Sequence, residues 1–264
     1  MLMINQSMMG IGEAGVAGGN DAVRLWDGIN SSNTTWLYET SNNIVNPVKL
    51  PSSGTLSCWI KRENWSGMAV RLFTTYQNFT DERGLRINID NTFRTVSIGM
   101  FDVSGNAIMF FTSSGAFLND ASWQHLLMSW SSNIGGNTAR ARAVINDITA
   151  LNSTAGNLGR TPFERGSFWI NQDTASSATQ MSLYDLFIAN GEYDVTDTTI
   201  KRKFIDVSGN PVYLGADGSI PFGSQPRLFY SGASTNWRNN KGYLSNSNLL
   251  ASTPANFTLS PTKP

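Results

Sequence analysis

Between Gly54 and Arg62 large apolar residues alternate with small or polar ones. In an extended chain this puts Leu56, Cys58 and Ile60 on one face and Ser57, Trp59 and Lys61 on the other, the signature of a strand. Further strands are expected at 69–75, 84–89, 95–101, 107–112, 123–130, 139–145, 167–170 and 181–189. Shorter strands are expected within 22–28 and 35–38, and another at 227–231. Turn chemistry separates them: Asp102-Val103-Ser104-Gly105-Asn106 closes one hairpin, and Asn146-Asp147-Ile148 makes a tight turn after another. One helix is expected at 197–204, where Asp197 can cap the first turn and Lys201, Arg202 and Lys203 suit the negative end of the dipole. Short, evenly spaced strands with so little helix predict an all-β, two-sheet antiparallel sandwich.

The two ends read differently. Residues 1–20 are rich in Met and Gly, too entropically costly for an isolated helix, and read as an N-terminal arm, either a disordered start or an arm that orders against a partner subunit. After Asp206 the chain is punctuated by Gly209, Pro211, Gly215, Gly218, Pro221, Gly223 and Pro226. Beyond Trp237, Asn, Ser, Thr and Pro dominate, which predicts an arm or wrapping segment with no core of its own. The division is therefore an arm at 1–20, a sandwich at 21–205 and an irregular C-terminal extension at 206–264.

Composition narrows the function classes. The chain has 264 residues and 40% hydrophobic content, enough for one sizeable core. Nineteen basic residues balance nineteen acidic ones, so nothing favours nucleic acid phosphates or an anionic membrane surface as partner. Only 14% of residues are charged, which leaves a neutral polar surface suited to large contact areas. Cys58 is alone, which excludes an internal disulfide and a cysteine-based zinc cluster. The first ten residues have no basic region and no continuous apolar run, so export by a signal peptide is not expected. Release by cell lysis, or as part of a particle, is the expectation that remains.

Four segments in order resemble the concanavalin A-like, laminin-G-like jelly roll. They are the strand Leu56 to Lys61; Ser122-Trp123-Gln124-His125-Leu126-Leu127-Met128-Ser129-Trp130; the strand 139–145 with Asn146-Asp147; and Leu183-Tyr184-Asp185-Leu186-Phe187-Ile188. The resemblance spans about residues 20–205 and implies a lectin-like jelly-roll sandwich with extended N- and C-terminal arms. Asp147 stands where the family usually has Gly, which predicts a changed turn type. The stretch from Phe204 to Ser219 resembles an extension that follows such domains in tailed-phage structural proteins. That likeness implies a bacteriophage virion protein, assembled in the host cytoplasm, with capsid or other virion proteins as partners, and a homo-oligomer. A capsid decoration or cement role is the leading expectation; a carbohydrate-binding, receptor-binding module of a phage tail is the alternative.

Catalytic chemistry finds little support in the sequence, and no enzyme is expected. Relatives of this fold that cleave glucans need two close carboxyls. Here Glu192-Tyr193-Asp194 lies beside the helix cap at Asp197 and reads as turn and cap. His125 aligns with Trp123 and Leu127 and reads as a half-buried structural histidine, and Cys58 as a buried, inert thiol. No cofactor is expected; calcium is an option through Asp81, Asp90 and Asp173, although no dense acidic loop gathers them. Gly10, Gly12 and Gly15 match a dinucleotide-binding spacing without the flanking strand and helix it needs. For ligand binding, Trp65, Tyr76, Asn78 and Phe79 are the candidates, as rings that stack on a sugar and an amide that binds its hydroxyls.

Overall fold

The computed structural model describes residues 23–24, 37–39, 51–62, 70–75, 84–90, 94–115, 117, 121–156, 168–170, 181–232, 237–244, 249–251, 258–259 and 264. The sequence candidates Trp65, Tyr76, Asn78 and Phe79, the possible calcium ligands Asp81 and Asp173, and residues 1–20 lie outside them.

Two antiparallel sheets form the body. The eight-stranded sheet runs β10 (Ile148–Gly156), β9 (Thr138–Ile145), β8 (Trp123–Ser131), β3 (Ser53–Arg62), β12 (Met181–Asn190), β1 (Val23–Arg24) and β15 (Thr258–Leu259), with β13 (Leu228–Tyr230) also paired to β12. The seven-stranded sheet runs β14 (Leu249–Ala251), β2 (Leu37–Glu39), β11 (Phe168–Ile170), β4 (Val70–Thr75), β5 (Gly84–Ile89), β6 (Val96–Phe101) and β7 (Ala107–Thr112). The alternation predicted for β3 is realised: Leu56, Cys58 and Ile60 meet Ile87, Ile98, Met100, Phe111 and Trp130 in one core between the sheets. The fold is a two-sheet antiparallel jelly roll.

The eight-stranded sheet is buried on its second face as well. Val195, Ile200, Phe204, Leu214 and Phe222 pack over Leu127, Val144, Phe187 and Phe229. Beside them Ile205 covers Trp59, Tyr184 and Trp123. Phe187 is the hub, with the Phe204 ring edge-on at 5.2 Å and the Phe229 ring at 6.3 Å. Residues 195–222 thus form a third layer over the sheet, and burial on both sides explains why β8 and β12 read as nearly continuous hydrophobic runs.

Local chemistry builds that layer. The helix α1 (Thr198–Lys201) is a single turn, with Asp197 accepting hydrogen bonds from the Thr199 and Ile200 amides at 2.7 and 3.3 Å. It is shorter than the sequence predicts, because Phe204 and Ile205 must reach two separate clusters on the sheet below. Asp206-Val207-Ser208-Gly209-Asn210 repeats the pentapeptide of the β6–β7 turn, and the two copies close identically. In each the Asp amide donates to the Asn carbonyl at 2.9 Å, the Asp carboxylate accepts the Ser and Asn amides, and the glycine takes a positive φ, 78° and 85°. The turn between β9 and β10 has positive φ at both Asn146 (49°) and Asp147 (69°), the type I′ form, so Asp in place of Gly leaves the turn type unchanged. The Asp147 carboxylate also anchors the layer, 3.0 Å from Lys201 Nζ and 2.5 Å from Arg202 Nη2. Hydrogen bonding to Arg202 holds its carboxyl below the ordinary aspartate range.

The C-terminal segment wraps its own sandwich. Trp237 is fully buried in the inter-sheet core, 5.9 Å from the Tyr230 ring. Asn240 accepts the Phe229 amide at 2.8 Å and donates to the Leu244 carbonyl at 2.6 Å, and β14 and β15 then pair with β2 and β1.

Candidate binding face

The outer face of the seven-stranded sheet carries side chains that the core does not use. Along β5 and β6, Leu85, Ile87, Ile89, Val96, Ile98 and Met100 point into the sandwich, which leaves Arg86, Asn88, Ser97, Gly99 and Phe101 on the other side. Register places Thr74, Arg86, Gly99 and Phe110 in one row across β4 to β7. Asn88, Ser97 and Thr112 form the next row.

Gly99 shapes this surface. A Cβ there would sit 2.7 Å from Phe101 Cε2 and 3.1 Å from Phe110 Cδ2, so the two rings close over the bare backbone. Phe110 nevertheless remains 55% exposed. The Arg86 guanidinium lies over the Phe101 ring at 4.9 Å, a cation–π arrangement that leaves the ring plane fixed. The buried Asn88 Oδ1 accepts no hydrogen bond. The result is a flat apolar patch bordered by a guanidinium, an amide and the Ser97 and Thr112 positions, an arrangement suited to a ligand with one apolar and one polyhydroxylated side. Gly99→Ala is expected to turn both rings away while changing stability by no more than about 1 kcal/mol, because the atoms that must move belong to surface side chains. Aromatic proton shifts of Phe101 and Phe110, read beside the melting temperature, check this.

The reactive side chains sit elsewhere, in the eight-stranded sheet, and each is confined. His125 is fully buried, deeper than its sequence pattern predicts, because the third layer covers β8. Its Nε2 is 2.9 Å from Ser57 Oγ, its ring lies 4.9 Å from Trp59, and its Nδ1 has no partner. Without a carboxylate on Nδ1 and without access for a substrate, this Ser–His pair lacks the parts of a nucleophilic triad. Burial pushes the imidazole down to about 3, against an opposing pull from Asp147, so it is neutral at pH 7. Burial likewise pushes the Cys58 thiol far above its usual range.

The Glu192 carboxylate, with its side chain only 6% exposed, is clamped by Arg140 and by Arg142 Nη1 at 2.5 Å. Asp194 accepts from the Thr196 amide and hydroxyl and lies 3.3 Å from Arg142 Nη2. Turn formation at Asp194 and capping at Asp197 agree with the sequence; the Glu192 clamp was missed, although Arg140 and Arg142 alternate on one face of β9. Asp90 sits in the β5–β6 connection, its amide donating to the Thr95 carbonyl at 2.9 Å. Among the described residues, no three His, Cys, Asp or Glu side chains gather as a metal site.

No family model matches the chain, and no curated protein does. Solved structures with a similar arrangement include a native heptameric SAP-like pentraxin from Limulus polyphemus, at 14% identity and a TM-score of 0.47, covering 67% of this chain and 79% of the other. The receptor binding domain of botulinum neurotoxin C/D mosaic serotype is 14% identical at a TM-score of 0.46, over 73% of this chain and 46% of its own. The binding domain of Paraclostridial Mosquitocidal Protein 1 is 13% identical at 0.46, over 70% and 45%. The chain spans less than half the length of both toxin domains.

Proposed function

We propose that the chain is a non-enzymatic glycan-binding module whose contact surface is the outer face of the seven-stranded sheet. The observation that carries this reading is Phe110, a large ring left 55% exposed in the middle of a strand and seated beside Phe101 over Gly99. The CH face of a sugar ring matches the phenyl patch, and the Arg86 guanidinium with the Ser97 and Thr112 positions at its border supplies polar contacts to its hydroxyls. The confinement of His125, Cys58 and Glu192 supports binding without turnover. A panel of immobilised glycans tests the reading: saturable binding by the wild type that weakens about tenfold, or 1.4 kcal/mol, in Phe110→Ala supports it. Binding that is absent from the whole panel, or equal in the two proteins, contradicts it.

A second reading keeps the chain in a virion, as a capsid decoration protein or as the receptor-binding part of a tail. It is favoured by large apolar side chains exposed on the third layer: Val207 at 86%, with Tyr213 and Ile220. These would seat against neighbouring virion proteins. Saturable cosedimentation with capsid shells or tails, reduced by Val207→Ser, supports this reading; no cosedimentation with either sets it aside.

A further inference from the structure

We infer that the outer edge of β10 pairs with the same edge of a second copy, joining two eight-stranded sheets into one continuous sheet across a twofold axis. Natural sheet edges are guarded by lysines, prolines, bulges or short length, because an open row of amides and carbonyls templates further pairing. β10 is nine residues long and ends the order of its sheet, and among the described residues nothing pairs with its outer side. From Ile148 to Gly159 the sequence has no Lys, Arg, Asp, Glu or Pro.

One guard is present, and it limits the contact. A bulge interrupts the pairing with β9 between Thr149 and Leu151, and the Ala150 carbonyl is occupied by the Ser114 amide at 3.0 Å and the Ser114 hydroxyl at 3.2 Å. Among the described residues no such guard covers Leu151 to Gly156, and Asn152, Thr154, Ala155 and Gly156 within it are exposed.

The occupant follows from the two ends of the sheet. Its opposite end is β15, two residues long, so head-to-tail addition would match a long edge to a very short one. Antiparallel pairing of residues 152–156 with themselves matches equal edges, Thr154 of one copy opposite Thr154 of the other, and closes at two subunits. Uncharged edges let the copies approach without repulsion.

Sedimentation equilibrium of the full chain tests this, using Thr154→Lys to place a charge at the centre of the contact and Val207→Lys as a control on the third layer. The expected result is a dimer for the wild type and for Val207→Lys, and a monomer with an unchanged far-ultraviolet circular dichroism spectrum for Thr154→Lys. A wild type that stays monomeric up to about 100 μM, where any Kd tighter than that would show, overturns the inference. So does a dimer that survives Thr154→Lys. If Thr154→Lys fails to fold, Asn152→Lys, also on the exposed part of the edge, replaces it with the same two outcomes.

Discussion

Acidification from pH 7 to pH 4 is expected to remove about 3 kcal/mol of folding stability through His125 alone. The sign follows from where the proton binds. In the unfolded chain the imidazole takes a proton near its ordinary value of about 6.5, whereas in the folded protein burial holds it down to about 3. Below pH 6.5 the unfolded state therefore binds a proton that the folded state refuses. Stability is complete above that pH and falls by up to about 1.4 kcal/mol per pH unit as the pH drops toward 3.

The geometry explains why the folded state refuses the proton: Nδ1 has no partner, Ser57 takes the other nitrogen, and the third layer excludes water. The opposing pull comes from the Asp147 carboxylate, itself committed to Lys201 and Arg202 and held below the usual aspartate range. Urea unfolding midpoints between pH 7 and pH 4 check the slope. His125→Gln, which keeps a hydrogen-bonding group near Ser57 without a titrating ring, should be less stable at pH 7 and nearly flat over the same range. An equal slope in both proteins would place the acid sensitivity elsewhere.

Trp237→Ala is expected to cost about 4 kcal/mol and to lower the melting temperature by roughly 10 °C. Trp237 belongs to a stretch whose composition suggests a loose tail. Its ring is nevertheless fully buried among the inter-sheet residues beside Tyr230, and the chain after it returns through the Asn240 hydrogen bonds to β14 and β15. Removing the ring leaves a cavity that two paired sheets cannot collapse to fill. Scanning calorimetry of the variant decides the matter: an unchanged transition would mean that the segment past residue 236 is a detachable arm.

The contrast between Trp237 and β3 shows what a sequence of this kind makes legible. Alternation at Leu56, Cys58 and Ile60 depends only on the geometry of an extended chain, so strand positions and inward faces could be read directly. The same holds for Asp102-Val103-Ser104-Gly105-Asn106, whose hydrogen bonds are local and recur wherever the pentapeptide recurs. The third layer was not legible, because Phe204, Leu214 and Phe222 are spaced by turns, not by a regular period, and gain their partners only across the fold. His125 reads as half-buried for the same reason: its own strand pattern cannot reveal a cover contributed some 80 residues later by Ile205. On the outer face of the seven-stranded sheet, nothing in the sequence singles out Gly99 from other strand glycines. Its meaning comes from Phe101 and Phe110 closing over it from its own strand and the next. Loop aromatics were the natural sequence candidates because loops commonly carry function; the exposed strand ring could be found only once register placed it beside Phe101.

The measurement that bears most directly on the binding reading is calorimetric titration of the strongest glycan from the panel into wild type, Phe110→Ala and Val207→Ser. Affinity about tenfold weaker in Phe110→Ala and unchanged in Val207→Ser is the expected outcome, locating the contact on the seven-stranded sheet. Equal affinity in wild type and Phe110→Ala, with both proteins folded, would contradict the account and move the contact away from this face.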